Sequence, residues 1–276
     1  MTTSHAALPV EDAAHGEERR NHSLLLAGGV LGMALGGFFD GILLHQILQW
    51  HHFLSLVPGE ALRDLKNQII ADGAFHVLMY LVAALGLWLL WRARAGLSEV
   101  GAGRRLLGSV LLGFGVWQLI DIVVFHWIVG IHRIRVDVPE PLPWDIGWMV
   151  VFGLPTVLGG LWVYRRAGRG GPPAVGRGSA VAASAALLVL AAGPIAALPP
   201  PGVTATAVLF RPGIGAAEAF AAVAAIDGRV LWADPSGELL AVEPAPGTSA
   251  RQLYRHGALL VGTSSVVAGC LAWSRA

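Results

Sequence analysis

The sequence predicts an all-α membrane bundle of five transmembrane helices, the first four forming a tandem repeat of helical hairpins, joined to a small α+β ferredoxin-like C-terminal domain. Three observations carry this reading. The 276 residues are 55% hydrophobic and 13% charged, with a mean hydropathy of +0.62, whereas a soluble chain carries about a quarter charged residues. Five apolar stretches approach or exceed the ~20 residues that a bilayer demands. Beyond them a proline-rich break opens a region where short strand-like runs alternate with helical ones. A formal charge of +1, with no block of like charges, argues against nucleic acid as a partner. The single cysteine, Cys270, excludes an internal disulfide or a paired-cysteine metal motif.

Residues 1–22 carry Glu11, Asp12, Glu17, Glu18, Arg19 and Arg20 without an apolar core and read as a polar cytoplasmic tail rather than a cleaved leader. The spans follow: Leu24 to Trp50, Ile69 to Trp91, Leu106 to Val129, Ile146 to Tyr164, and Ser179 to Leu198. The first four form a module over 23–166, with repeats at about 23–92 and 104–165; a basic linker, 167–178, leads to the fifth span, 179–198. Arginine sets the orientation. Arg19 and Arg20, then Arg92, Arg94, Arg104 and Arg105, then Arg165, Arg166, Arg169 and Arg177 mark one side. The other side has Arg63, Lys66, Arg133 and Arg135, offset by acids. The expected placement is the bacterial inner membrane, multi-pass, with the N-terminus cytoplasmic and the C-terminal domain extracytoplasmic. Within the first span Gly28, Gly32 and Gly36 recur at four-residue spacing, the pattern that lets membrane helices approach closely.

Internal similarity is the most informative feature. The first span ends FDGILLHQILQWHH and the third ends IDIVVFHWIVGIHR, which sets Asp40, His45 and His51 against Asp121, His126 and His132 at one offset of 81. The second and fourth spans match at an offset of 73: Asp72 with Asp145, Gly86 with Gly159, Trp91 with Tyr164, and Arg92 with Arg165. The two hairpins are therefore copies in the same orientation, related by an axis along the membrane normal.

Aspartate and histidine inside a bilayer are costly and mark pairing or a functional site. With the orientation above, His45, His76 and His126 fall in the outer half of the membrane, and His51, His52 and His132 at or above its surface. At 100° per residue Asp72 and His76 share a helix face, so the Asp72 carboxylate is expected to orient His76 towards a metal. His45, Gln49 and His52 also share a face, at i, i+4 and i+7. Asp40 and Asp121 lie about 140° from their histidines and are expected to meet a neighbouring helix instead. The repeat sets Met149 opposite His76, and its thioether favours copper. The expected ligands are His45, His51, His52, His76, His126, His132 and Met149, supported by Asp40, Gln49, Asp72, Asp121 and Asp145. Iron or zinc also suits a nitrogen and oxygen set. The alternatives are bis-histidine haem b on His45 and His126, a proton relay, or purely structural hydrogen bonding.

After Pro199–Gly202, TATAVLFR reads as a strand, GAAEAFAAVAAIDG as a helix, RVLWADPSG and ELLAVEPAPG as a hairpin, SARQLYRHG as a short helix and ALLVGTS as a strand. That βαββαβ order is a ferredoxin-like domain over 203–270. A competing reading makes Ala258 to Trp273 a sixth span, short and interrupted by Thr263, Ser264 and Ser265. Cys270 reads as inert.

The GFFDGILLHQILQWHH helix end, the DGAFH opening of the second span and the GIHR-to-WD loop resemble an uncharacterised family of bacterial inner-membrane proteins known only as a domain of unknown function. The resemblance covers about residues 25–165. It implies a four-helix membrane module with motif histidines at His45, His51, His52, His76, His126 and His132. The family usually carries a second histidine after GIH, where this chain has Arg133. The resemblance implies no reaction, and the sequence holds no nucleophile and base pair, phosphate loop or cofactor fingerprint of a soluble-type enzyme, which leaves enzymatic activity open. The expected function is binding of a transition metal, copper favoured, in metal handling or respiratory-enzyme maturation. A haem-bearing electron-transfer subunit and a non-catalytic docking subunit are the alternatives. The expected partners are the lipid bilayer and a membrane or periplasmic protein met by the C-terminal domain.

Overall fold

Long apolar runs fold here as helices, because backbone hydrogen bonds closed within the segment are what a bilayer requires. The computed structural model describes residues 10–59, 62, 65–167, 177–197 and 205–262. The expected linker positions 168–176, Arg63, the Pro199–Gly202 break, Cys270 and the far part of the alternative sixth span lie outside them.

Helix α1 runs Val10–Asp40 and continues as a π-helical segment, Gly41–Leu48; α2 is Leu65–Arg92. Helix α3, Ala102–Ile120, continues as a second π-helical segment, Asp121–Val129. Next, α4, Leu142–Trp148, passes through the π-helical turn Met149–Gly153 into α5, Leu154–Arg165. Four of these stretches, His15–His45, Asn67–Arg92, Ala102–Val129 and Leu142–Arg165, are long and apolar enough to cross a membrane. The expected fifth span is a helix, α6, Arg177–Ala197, of which the apolar part Gly178–Ala192 is shorter than the other four.

The described chain divides into two compact units. One comprises Met1–Gly37, Leu78–Val124 and Ile146–Ala192. In it α1 and α3 touch backbone to backbone. A Cβ at Gly32 would land on the Val110 carbonyl, and one at Gly36 would lie 2.8 Å from Trp117 Cβ. The four-residue glycine stripe is therefore the contact surface that its spacing predicted. Gln118 ties three helices together, donating to the Gly36 carbonyl at 3.3 Å and accepting from Trp148 Nε1 at 2.7 Å. The stretch expected to be only a polar tail is helical from Val10. Its alanines and glutamates favour helix, and Arg20 pairs with Glu99 while Glu17 meets Arg105 at 3.7 Å.

The other unit comprises Phe38–Val77, Phe125–Asp145 and Gly193–Ala276. Its C-terminal part is an antiparallel four-stranded sheet of β1 (Thr206–Phe210), β2 (Arg229–Ala233), β3 (Leu239–Glu243) and β4 (Ala258–Gly262), in the order β2-β3-β1-β4. Helix α7, Ala216–Ala224, follows β1, and a 3-10 helix, Ala250–His256, precedes β4. One sheet face buries Val208, Phe210, Leu240 and Val242 against Ala219, Val223 and Leu253. The opposite face, Ala207, Leu239 and Ala241, packs with Ile69 of α2. Residues 258–262 are a strand paired with β1, which favours the strand reading of this segment over a sixth span.

Candidate functional site

The site begins where the α-helical register ends. Along α1 the hydrogen bonds close over four residues; in Gly41–Leu48 they close over five, which turns residues i and i+5 towards one face. Asp40 and His45 are such a pair, and the structure corrects the expectation that Asp40 faces a neighbouring helix. Ligand atoms of Asp40, His45 and His51 lie within 4.8 Å of one another, and all three side chains are buried. The second repeat carries the equivalent trio, Asp121, His126 and His132, with Asp121 opening its own π-helical segment five residues before His126.

Both π-helical segments stop in the same way. Gln49 has φ 53° and its repeat equivalent Gly130 has φ 72°, the left-handed region. The N–H groups of Gln49 and Trp50 both donate to the Leu44 carbonyl, as those of Gly130 and Ile131 both donate to Phe125. The turn breaks the face expected to join His45, Gln49 and His52, and Gln49 serves as the half-buried corner of that turn.

Four imidazoles meet in this unit. His45 and His126 are 0% exposed and His51 and His132 1%. Ring centroids lie 4.5 Å apart for His45 and His51, 4.7 Å for His126 and His132, and 4.7 Å for His51 and His132. A buried imidazole is costly unless its polar atoms are satisfied, and each ring has a partner for Nδ1. For His45 it is Asp72 Oδ1 at 3.0 Å, and for His126 it is Asp145 Oδ1 at 2.9 Å. For His51 it is the Ile134 carbonyl and for His132 the Phe53 carbonyl, each at 3.0 Å. Phe53 and Ile134 are themselves one repeat offset apart, so each copy orients a histidine of the other. Nε2 of His45, fully buried, has no hydrogen-bond partner among the described residues.

The two carboxylates behind the rings are held alike. Asp72 accepts from His52 Nδ1 at 2.7 Å and the Phe53 N–H at 2.8 Å. Asp145 accepts from Arg133 at 2.8 Å, the Ile134 N–H at 3.0 Å and Trp127 Nε1 at 3.0 Å. Arg133 thus stands where His52 stands in the first copy. The structure places His52 on a carboxylate, and it corrects the expected partner of Asp72: His76 Nδ1 donates to the Asp72 backbone carbonyl at 2.8 Å, while the carboxylate serves His45 and His52. His76 packs edge-on to Phe75 with its Nε2 against Gly41. Met149 is half-buried in the other unit, at the start of the Met149–Gly153 turn.

Beside the cluster, the Arg135 guanidinium lies 5.2 Å from the Trp50 ring and 4.7 Å from the Trp144 ring, and pairs with Asp137 at 2.6 Å. That guanidinium holds the Asp137 carboxyl below the usual carboxylate range. Sequence reasoning missed this clamp and the carbonyls of Phe53 and Ile134. A backbone acceptor leaves no residue-type signal, although the shared offset could have pointed to it.

Four long apolar helices carrying buried His and Asp groups define a membrane protein with a buried polar cluster whose two Asp-His-His trios share one sequence offset. The chain belongs to the family described as "Predicted membrane protein (DUF2243)", matched over residues 27–167, just over half its length. No curated protein and no solved structure is similar to it at a significant level. The matched stretch contains every residue of the cluster.

Proposed function

We propose that the protein binds a transition metal, copper favoured, through His45, His51, His126 and His132, with Asp40 and Asp121 beside them. The observation that carries this is the treatment of Nδ1. Each of the four rings engages a carboxylate or a carbonyl there, the way proteins fix the tautomer and aim of metal-ligating histidines. In this reading the ion is held through Nε2, the atom that has no hydrogen-bond partner among the described residues in His45. The nitrogen and oxygen donors suit copper, zinc or iron, and copper leads in affinity at such sites. Metal handling or respiratory-enzyme maturation is the role we assign to it.

The packing supports an ion over haem b. His51 and His132 stand 4.5 and 4.7 Å from His45 and His126, so imidazoles fill the space that a porphyrin between His45 and His126 would need. His52, His76 and Met149 then act outside the ligand set, His52 by holding Asp72. We read the protein as an inner-membrane protein with the cluster towards the extracytoplasmic side, from the arginine distribution. In this reading α6 is a fifth crossing, and the strand order β2-β3-β1-β4 is that of a ferredoxin-like domain available to a membrane or periplasmic partner.

Elemental analysis and an optical spectrum of detergent-purified, tag-free protein test the reading together. The expected result is bound copper, iron or zinc that is lost in the His45→Ala, His126→Ala double variant. A Soret band would replace the ion by haem. Neither metal nor haem would leave the non-catalytic docking subunit.

A further inference from the structure

We infer that the cluster is a dinuclear centre, one ion held by Asp40, His45 and His51 and a second by the repeat-equivalent Asp121, His126 and His132. This rests on the metal-binding reading above and adds the number of ions and their assignment to the two copies. Four imidazoles and two carboxylates exceed the four donors that a tetrahedral ion accepts.

The ring geometry divides them. A histidine lone pair lies in the plane of its ring, so two rings share an ion only where their planes converge on it. His45 and His51 are inclined at 71° with centroids 4.5 Å apart, and His126 and His132 at 73° and 4.7 Å. Both within-copy pairs can converge. His51 and His132, by contrast, are stacked with planes 6° apart, and stacked rings present their lone pairs side by side rather than to a common point. The remaining cross-copy pairs, His45 with His132 and His51 with His126, are wider, at 6.3 and 6.2 Å. The stack of His51 on His132 therefore sits between the copies, with one converging pair on either side of it.

Charge agrees with one ion per copy. In the first copy Asp40 at the site and Asp72 behind it supply two negative charges, which match one divalent ion in a buried setting. The second copy supplies Asp121 and Asp145, less the charge of Arg133. Its ion is held by the same donors in a less negative surrounding, so the first copy fills first.

Copper(II) added to the tag-free full chain in detergent, followed by equilibrium dialysis, elemental analysis and electron paramagnetic resonance, tests the inference. The expected result is about two ions per chain, one donor set each, with a signal weakened by coupling between neighbouring copper(II) ions. The His126→Gln, His132→Gln variant should retain one ion and give an uncoupled signal of full intensity. One copper per chain in the unsubstituted protein, with full uncoupled intensity, overturns the dinuclear inference and leaves metal binding standing. No bound copper overturns both. The stoichiometry and coupling of the unsubstituted protein decide the matter even where the variant fails to fold.

Discussion

Nδ1 of His132 lies 3.0 Å from the carbonyl oxygen of Phe53. Its mirror across the repeat, His51 on the Ile134 carbonyl, has the same length. Each copy thus supplies the acceptor that aims a histidine of the other. The reciprocal bonds make the cluster a joint product of both hairpins, so loss of the Phe53 or Ile134 acceptor in one should disturb a histidine of the other.

The carboxylates behind the rings should differ in their tolerance of amidation. Asp72→Asn leaves His52, which can exchange tautomer and accept from the new amide. Asp145→Asn sets that amide against Arg133 and Trp127, which only donate. Both variants should lose roughly 10–100-fold in metal affinity. The stability cost should be about 1 kcal/mol for Asp72→Asn and about 3 kcal/mol for Asp145→Asn, measured as thermal unfolding in detergent. Equal costs would refute the distinction.

Close approach of α1 and α3 makes a second prediction. Gly32→Ala drives its methyl into the Val110 carbonyl and should cost about 1–3 kcal/mol. Gly29→Ala, three residues away with nothing within 4 Å of the new Cβ, should be neutral or slightly stabilising. Thermal unfolding of the pair separates packing from helix propensity.

At the corner after the second π-helical segment, Gly130 has φ 72° and open space around a Cβ. Gly130→Ala therefore changes only backbone strain, and should cost about 1–2 kcal/mol. A variant as stable as the parent would show that this turn is not left-handed.

Arg133 is the main chemical difference between the two carboxylate environments. Arg133→Gln should place an uncharged donor on Asp145 in place of the guanidinium. Removing a partly exposed positive charge near the second trio should tighten its ion by roughly fivefold, about 1 kcal/mol. Copper titration should then show two steps drawn together; steps that stay as far apart as before would count against the charge argument.

The repeat was legible because Asp and His are rare in apolar spans, so two shared offsets stood out, and the Asp72 with Asp145 match recurs as equivalent hydrogen bonding. The strands and helices of the C-terminal part were also legible, from alternation and turn residues: TAVLF, Thr206–Phe210, forms β1 and LLAVE, Leu239–Glu243, forms β3. What failed was helix phase. Asp40 and His45 were placed 140° apart on an ideal helix, but a π-helical segment starts between them and closes that angle. Nothing in the hydrophobic pattern marks such a change, since apolar residues surround it on every side. The same limit hid the pairing of Asp72 with His45, which joins residues on two different helices, while the i, i+4 rule offered His76.

X-ray absorption at the metal edge, on zinc-loaded protein and on its His45→Ala, His51→Ala variant, reads directly whether these histidines hold the ion. One trio per ion predicts a shell of nitrogen or oxygen at about 2.0–2.1 Å with the outer-shell scattering of imidazole, and in the variant about half the zinc per chain with the imidazole scattering per zinc unchanged. An outer shell without imidazole scattering, or a variant that binds as much zinc per chain as the parent, would contradict it.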